Sequence, residues 1–451
     1  QPVHTMYWGA HVVAPDVVTR LGDAARASFE RHAPDPVTLA RALGFPGSET
    51  FAADAAAIAA IDERFAADAD ALHDDDPDAW LAWAVHARVR DKLAREPVED
   101  LRIDFEDGYG IRDDAEEDGH AEACARIVAE GIRAGRGSAA VGIRVKPFTD
   151  ACAQRSIATI DRFVCTLADA LGGLPPGFRV MLPKVTMPEQ VDAIGELLGR
   201  LEHRRGLAEG ALPFEIMVEV TQALFDPHGR FQLPLFVRAG GPRLVAVALG
   251  VYDFTASCNV AAAWQAMDHP MCDLARGLMT LACAGTHVQL CDGSTNVLPV
   301  EPHPGDEALD EDHRERNRSA VHRAWRLSHD HIHRSLVGGW VQGWDLHPAQ
   351  IPVRFATCYR FWLEGFAAAA QRLRSYLARA TAATDGAAVL DDAATGQALL
   401  GFFLRAHECG AIGTRELERT GLRDGEWTTR SFAAILAGRR AELARGENER
   451  R

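Results

Sequence analysis

The segment FRVMLPKVTMPEQVDAIGELLGRL, Phe178–Leu201, contains one complete structural unit. Its first five residues are apolar apart from Arg179 and do not alternate with polar ones, which predicts a short strand covered on both faces. Thr186 and Glu189 are spaced as a capping box around Pro188, so a helix is predicted to begin there. Val191, Ile194, Leu197, Leu198 and Leu201 then form one apolar stripe at helical spacing. A charge, Lys184, stands where the strand gives way to the helix. Strand, charged end and capped helix together make a βα unit.

The same pattern recurs on both sides. Strand-like runs begin at Leu101 (LRIDF), Ala139 (AAVGIRV), Phe214 (FEIMV), Leu244 (LVAVAL), Thr286 (THVQL) and Gly339 (GWVQGW), and HTMYWGAHVV from His4 is the first strand. Between two of them, DDAEEDGHAEACARIVAEGI opens acidic, as a helix N-terminus prefers, and stripes Ala121, Cys124, Ala125, Val128 and Ile132. A polar residue ends each run: Asp104, Arg144, Lys184, Glu219, Asp253, Asp292, then Asp345 with His347, at intervals of 34 to 53 residues. Units of roughly 30 to 40 residues, repeated eight times, predict an α/β fold of the (β/α)8 TIM-barrel type, whose strand ends open on one mouth. A doubly wound open sheet is the alternative, and it would spread the same residues along a crevice. The barrel is expected over residues 1–350. It is interrupted by an alanine-rich, acidic helical insertion at about 35–98 and followed by a helical extension over 351–451.

The 451 residues carry a formal net charge of −16, which disfavours nucleic acid and anionic membranes as partners. No apolar run approaches the roughly 20 residues of a membrane helix. The N-terminal segment lacks the charged-then-apolar order of a secretory signal, so a cytoplasmic protein is expected. The nine cysteines are scattered and never spaced CxxC, which fits reduced thiols. A barrel with exposed apolar helices is expected to form a homo-oligomer.

At the mouth, Glu219 and Asp253 offer two carboxylates from consecutive units. Two such oxygens, completed by water and a chelating substrate, are how proteins usually hold Mg²⁺, with Mn²⁺ the alternative ion. Arg144 and Lys184 add positive charge beside them, and a cation with an arginine suits the stabilisation of an enolate. A plain ion-pair network among the four is the competing reading. LRIDFEDGYG, Leu101–Gly110, places Asp104, Glu106 and Asp107 at the same mouth. There all three can hold ion-bound waters or orient Arg144, and Asp104 and Asp107 are the candidate catalytic carboxylates. His347 is either a substrate-binding group or the cap of the next helix.

IDFEDGYG, VGIRVKP, VMLPKVTMPEQVDAI, IMVEVTQALFD, ALGVYDFTAS and GWDLHPAQI occur in an order that resembles the superfamily of the citrate lyase beta subunit, the HpcH/HpaI aldolases and malate synthase. The resemblance covers roughly residues 100 to 352 and implies a Mg²⁺-dependent barrel that makes or breaks carbon-carbon bonds beside a carbonyl. It implies that Glu219 and Asp253 are metal ligands and that Arg144 contacts the substrate carbonyl or enolate. By the same likeness Lys184 lines the substrate pocket, and Asp104 and Asp107 lie behind the ligands. Small 2-keto acids such as pyruvate, or acyl-CoA thioesters, are the implied substrates. No counterpart of malate synthase's C-terminal base aspartate follows residue 351, so the general base and the use of CoA stay open.

The leading expectation is therefore a Mg²⁺-dependent lyase or aldolase. A malate-synthase-like condensing enzyme or an acyl-CoA thioesterase is the alternative on the same platform, and a non-catalytic barrel binding a small acid or a protein is the alternative of another class. The glycines of GRGSAAVG, Gly135–Gly142, precede a strand instead of following one, which removes the dinucleotide-binding geometry. His329 and His333 in SHDHIH share a helical face but have no cysteine or carboxylate at ligand spacing, which favours a solvated or loop-packed cluster.

Overall fold

The structure is a computed structural model and describes residues 1–305, 309–382 and 388–448. Eight parallel strands follow one another in space: β1 (His4–Gly9), β2 (Asp100–Asp104), β3 (Ala140–Arg144), β4 (Arg179–Leu182), β5 (Phe214–Val218), β6 (Leu244–Leu249), β7 (Gln289–Cys291) and β8 (Gly343–Asp345). They pair in the order β7-β6-β5-β4-β3-β2-β1-β8. The free edges of β7 and β8 meet through a parallel bridge between Cys291 and Gln342, and the Asp292 N–H donates to the Gln342 carbonyl at 2.8 Å. The expected (β/α)8 barrel is thus the fold, and the open sheet is not.

Alternation along the strands explains why the runs looked apolar throughout. Outward residues such as Ile103, Val141, Ile143, Val180, Ile216 and Val247 pack under the surrounding helices in one large core. Inward residues belong to a second, smaller cluster of Met181, Met217, Ala248 and Cys291, against which Tyr7 and Trp344 pack. Between these apolar groups and the barrel's lower end lies a set of buried charges. Arg102 donates from Nη2 to Asp100 at 2.8 Å and to Glu215 at 3.1 Å, and Arg179 reaches Glu215 at 2.7 Å. Gly142 lies beside Arg102 in register. A Cβ there would overlap the Arg102 guanidinium and the Arg179 carbonyl oxygen, so a glycine inside this strand makes room for a charged side chain crossing the lumen.

The helix after β4 runs Pro188–Arg205 and buries Val191, Ile194, Leu198 and Leu201, as the stripe predicts. Its cap differs from the expectation by one residue. Gln190, not Glu189, folds back, and its Oε1 accepts from the N–H groups of Thr186 at 2.8 Å and Met187 at 3.3 Å. Proline at the first helical position sets the start so that Met187 becomes the cap residue and Gln190 the third residue.

The chain falls into two compact units. One holds the barrel, residues 2–44 and 90–354. The other gathers residues 45–89 with the helices from 355 onward, and its core contains Phe51, Trp83, Leu373, Phe403, Leu417 and Ile435. All nine cysteines are free thiols. Among the described residues no helix is long and apolar enough to cross a membrane.

Candidate active site

The C-terminal ends of β2 to β5 and the turn after β6 bring together five acids and two bases. Asp104 is the last residue of β2 and Arg144 the last of β3. The carboxylate of Asp104 grips Arg144 as a fork, accepting from Nε at 2.7 Å and from Nη2 at 2.6 Å. It also accepts the backbone N–H groups of Glu106 at 3.0 Å and Gly108 at 2.7 Å, so both of its oxygens are engaged. Burial alone would raise the Asp104 pKa, but these hydrogen bonds hold it below the usual carboxylate range. Asp104 is thereby the group that aims Arg144. The guanidinium lies over the Tyr7 ring, 4.8 Å from its centroid, with Trp344 at 5.9 Å.

Glu219 directly follows β5 and is 2 % exposed. Its Oε1 accepts the Lys184 N–H at 2.6 Å. A Cβ at position 250 would stand 2.6 Å from Glu219 Cβ, so Gly250 is what lets the carboxylate lie against the start of the next unit. Lys184, two residues past β4, has the left-handed φ of +51°, which a residue with a side chain adopts only where its surroundings impose it. Its Nζ lies among four carboxylates, at 2.6 Å from Glu106, 2.7 Å from Asp253, 3.3 Å from Asp107 and 3.8 Å from Glu219. Asp253 does not end a strand as expected. It sits in the first turn of a helix, Val251–Ser257, because the chain turns at Gly250 as soon as β6 is complete.

Glu106, grouped in the sequence with Asp104 and Asp107 as a holder of ion-bound waters or an orienter of Arg144, lies against Arg144 itself. Nearly buried, it bridges the two bases, with Oε1 on Lys184 and Oε2 3.3 Å from Arg144 Nη1. Burial raises its pKa against the pull of Arg144. Its position two residues after Asp104 gave no distinguishing signal within three neighbouring acids. Asp292 and Asp345 stay apart from this cluster. Asp292 is held by Arg276 at 2.8 Å, and Asp345 by Arg354 at 2.8 Å and His4 at 3.2 Å. His347 acts as the cap, its Nδ1 accepting from the Ala349 N–H at 3.2 Å.

Carboxylate oxygens of Asp107, Glu219 and Asp253 lie within 4.8 Å of one another, which among the described residues is the one group of acids, histidines or cysteines arranged to hold a metal ion. Two observations bear on whether Mg²⁺ fits. The donors are all hard oxygens, as that ion requires. The Lys184 ammonium already stands among them, so the local field favours a cation there. His329 and His333 lie elsewhere, in the helix Glu311–Val337, with their rings stacked 6.0 Å apart.

Burial pushes the Glu219 carboxyl up to about 8, more than Lys184 and Arg144 pull it down. In protein stripped of divalent ions this shift makes stability depend on pH. Below the ordinary value of 4.5 the group is neutral whether the chain is folded or unfolded, and the stability this preserves is lost as pH rises through about 8. Urea unfolding of chelator-treated protein is expected to show a loss on the order of 4 kcal/mol across that window, and Glu219→Gln is expected to flatten it.

A citrate lyase from Burkholderia xenovorans LB400 is similar in structure, with a TM-score of 0.50 at 20% identity over 74% of this chain and 92% of that one. A Haloferax volcanii malate synthase in its lead(II) complex gives 0.41 at 15% identity, covering 76% and 89%. The same enzyme in its magnesium/glyoxylate complex gives 0.42 at 13%, covering 73% and 92%. The barrel implied by the resemblance to citrate lyase is thus the fold of this chain. No curated protein matches it in sequence. The profile of one family, described as a domain of unknown function, matches residues 1–435, and the chain belongs to that family, DUF6986.

Proposed function

We propose that the mouth is the active site of a magnesium-dependent lyase or aldolase, which breaks or makes a carbon-carbon bond beside a carbonyl through the enolate of a 2-oxo acid or acyl thioester. The observation that carries this reading is the fork-held Arg144 beside three carboxylates whose oxygens lie within 4.8 Å of one another. Asp107, Glu219 and Asp253 would hold the ion, with manganese as the alternative. When bound, such an ion polarises a substrate oxygen as a Lewis acid. Arg144 stabilises the negative charge that develops on the enolate oxygen. Asp104 and the Tyr7 ring fix its plane beforehand, so little reorganisation accompanies the reaction.

The test is turnover with Mg²⁺ against two panels, 2-oxo acids with aldehydes and acyl thioesters. Arg144→Lys keeps the charge and loses the fork, and kcat is expected to fall about 100- to 1,000-fold while divalent-ion affinity changes by less than about threefold. Unchanged turnover in that variant, or full turnover in excess chelator, would overturn the reading.

A further inference from the structure

The chain has 45 arginines and three lysines, Lys92, Lys146 and Lys184. At the centre of the acidic cluster it nonetheless places a lysine. An arginine there would lock two carboxylates with its planar fork, whereas an ammonium on a flexible stem is a point charge that can leave. Three of the four carboxylates around Nζ, those of Asp107, Glu219 and Asp253, are the ones grouped closely enough to hold a metal ion. An ammonium and a divalent ion cannot share that position, because their repulsion at such range is large in a partly buried site. The backbone of Lys184 is meanwhile anchored, by its N–H on Glu219 Oε1 at 2.6 Å. Its side chain is 29 % exposed, which leaves it an open route away from the cluster.

We infer that Lys184 is a displaceable counter-ion: without metal its ammonium fills the cation position, and it swings out toward the mouth when a divalent ion binds to Asp107, Glu219 and Asp253. This rests on the metal reading proposed above. Two consequences follow. The four carboxylates stay assembled before any ion arrives, and every ion must compete with a tethered charge, which weakens its apparent affinity.

The experiment uses the full chain, freed of metal by chelation, and follows Mn²⁺ binding by titration calorimetry in the wild type, Lys184→Met and Glu219→Gln. Lys184→Met is expected to bind Mn²⁺ at least about tenfold more tightly than the wild type. In parallel, an amine-acylating reagent is applied to the wild type with and without saturating Mn²⁺, and modification is read by mass spectrometry. Lys92 and Lys146, each ion-paired to a glutamate outside the cluster, serve as internal references. Labelling of Lys184 relative to these is expected to rise about fivefold or more with Mn²⁺, a measurement that decides the matter even if Lys184→Met does not fold. Equal or weaker binding by a folded Lys184→Met, or unchanged labelling of Lys184 in Mn²⁺-bound wild type, overturns the counter-ion. Absence of Mn²⁺ binding by the wild type, or undiminished binding by Glu219→Gln, overturns the metal reading itself.

Discussion

Glu219→Gln is expected to abolish saturable Mg²⁺ binding and to lower kcat/KM by at least about 100-fold, the scale set by losses of groups that merely support metal ligands. The substitution preserves volume and the acceptor for the Lys184 N–H, so the local backbone should persist. What it removes is charge. Asp107 and Asp253 would then face an ion alone, and both are more exposed than Glu219, with side chains 58 % and 42 % accessible. Competition with water would defeat them. Calorimetry with Mg²⁺ and steady-state kinetics check the two halves separately. Undiminished Mg²⁺ binding by this variant would overturn the metal reading.

The second large effect lies deeper in the barrel. Arg102→Met is expected to destabilise the protein by about 3–5 kcal/mol, because Asp100 and Glu215 would remain buried and charged with part of their compensation gone. Arg179 still reaches Glu215, so Asp100 bears most of the loss. For a chain of this size the midpoint of thermal unfolding should fall by about 3–5 °C. Adding Asp100→Leu to Arg102→Met removes the stranded charge and is expected to recover part of the deficit. A single variant that melts with the wild type would mean that the interior charges relax into solvent.

The fold was legible because each strand is a short apolar run followed by a charge at a nearly regular interval, the rhythm of repeated βα units, while the choice between a closed barrel and an open sheet rested on the meeting of β7 and β8. Arg144 and Glu219 were legible for the same reason. Asp253 was misplaced by a few residues, since Val251, Tyr252 and Phe254 are as apolar as a strand and nothing marks Gly250 as its end. Asp292 and Asp345 looked equivalent to the others, but their arginine partners lie in neighbouring helices, Arg276 and Arg354, which a strand-by-strand reading does not consult. The inner charges were visible yet passed over. Asp100, Arg102 and Asp104 alternate along β2, and Glu215 and Glu219 bracket Met217 along β5, a period of two that marks a polar lumen.

The carboxylates and bases of the mouth are contributed by β2, β3, β4, β5 and the turn after β6, and no two consecutive units hold all three of the grouped carboxylates. Limited proteolysis that releases a fragment beginning after β3 would therefore leave Glu219 and Asp253 without Asp107 or Arg144, and a half-barrel of this chain should be chemically silent. Ion uptake thus doubles as a reporter of the assembly of the arc from β2 to the turn after β6 during folding.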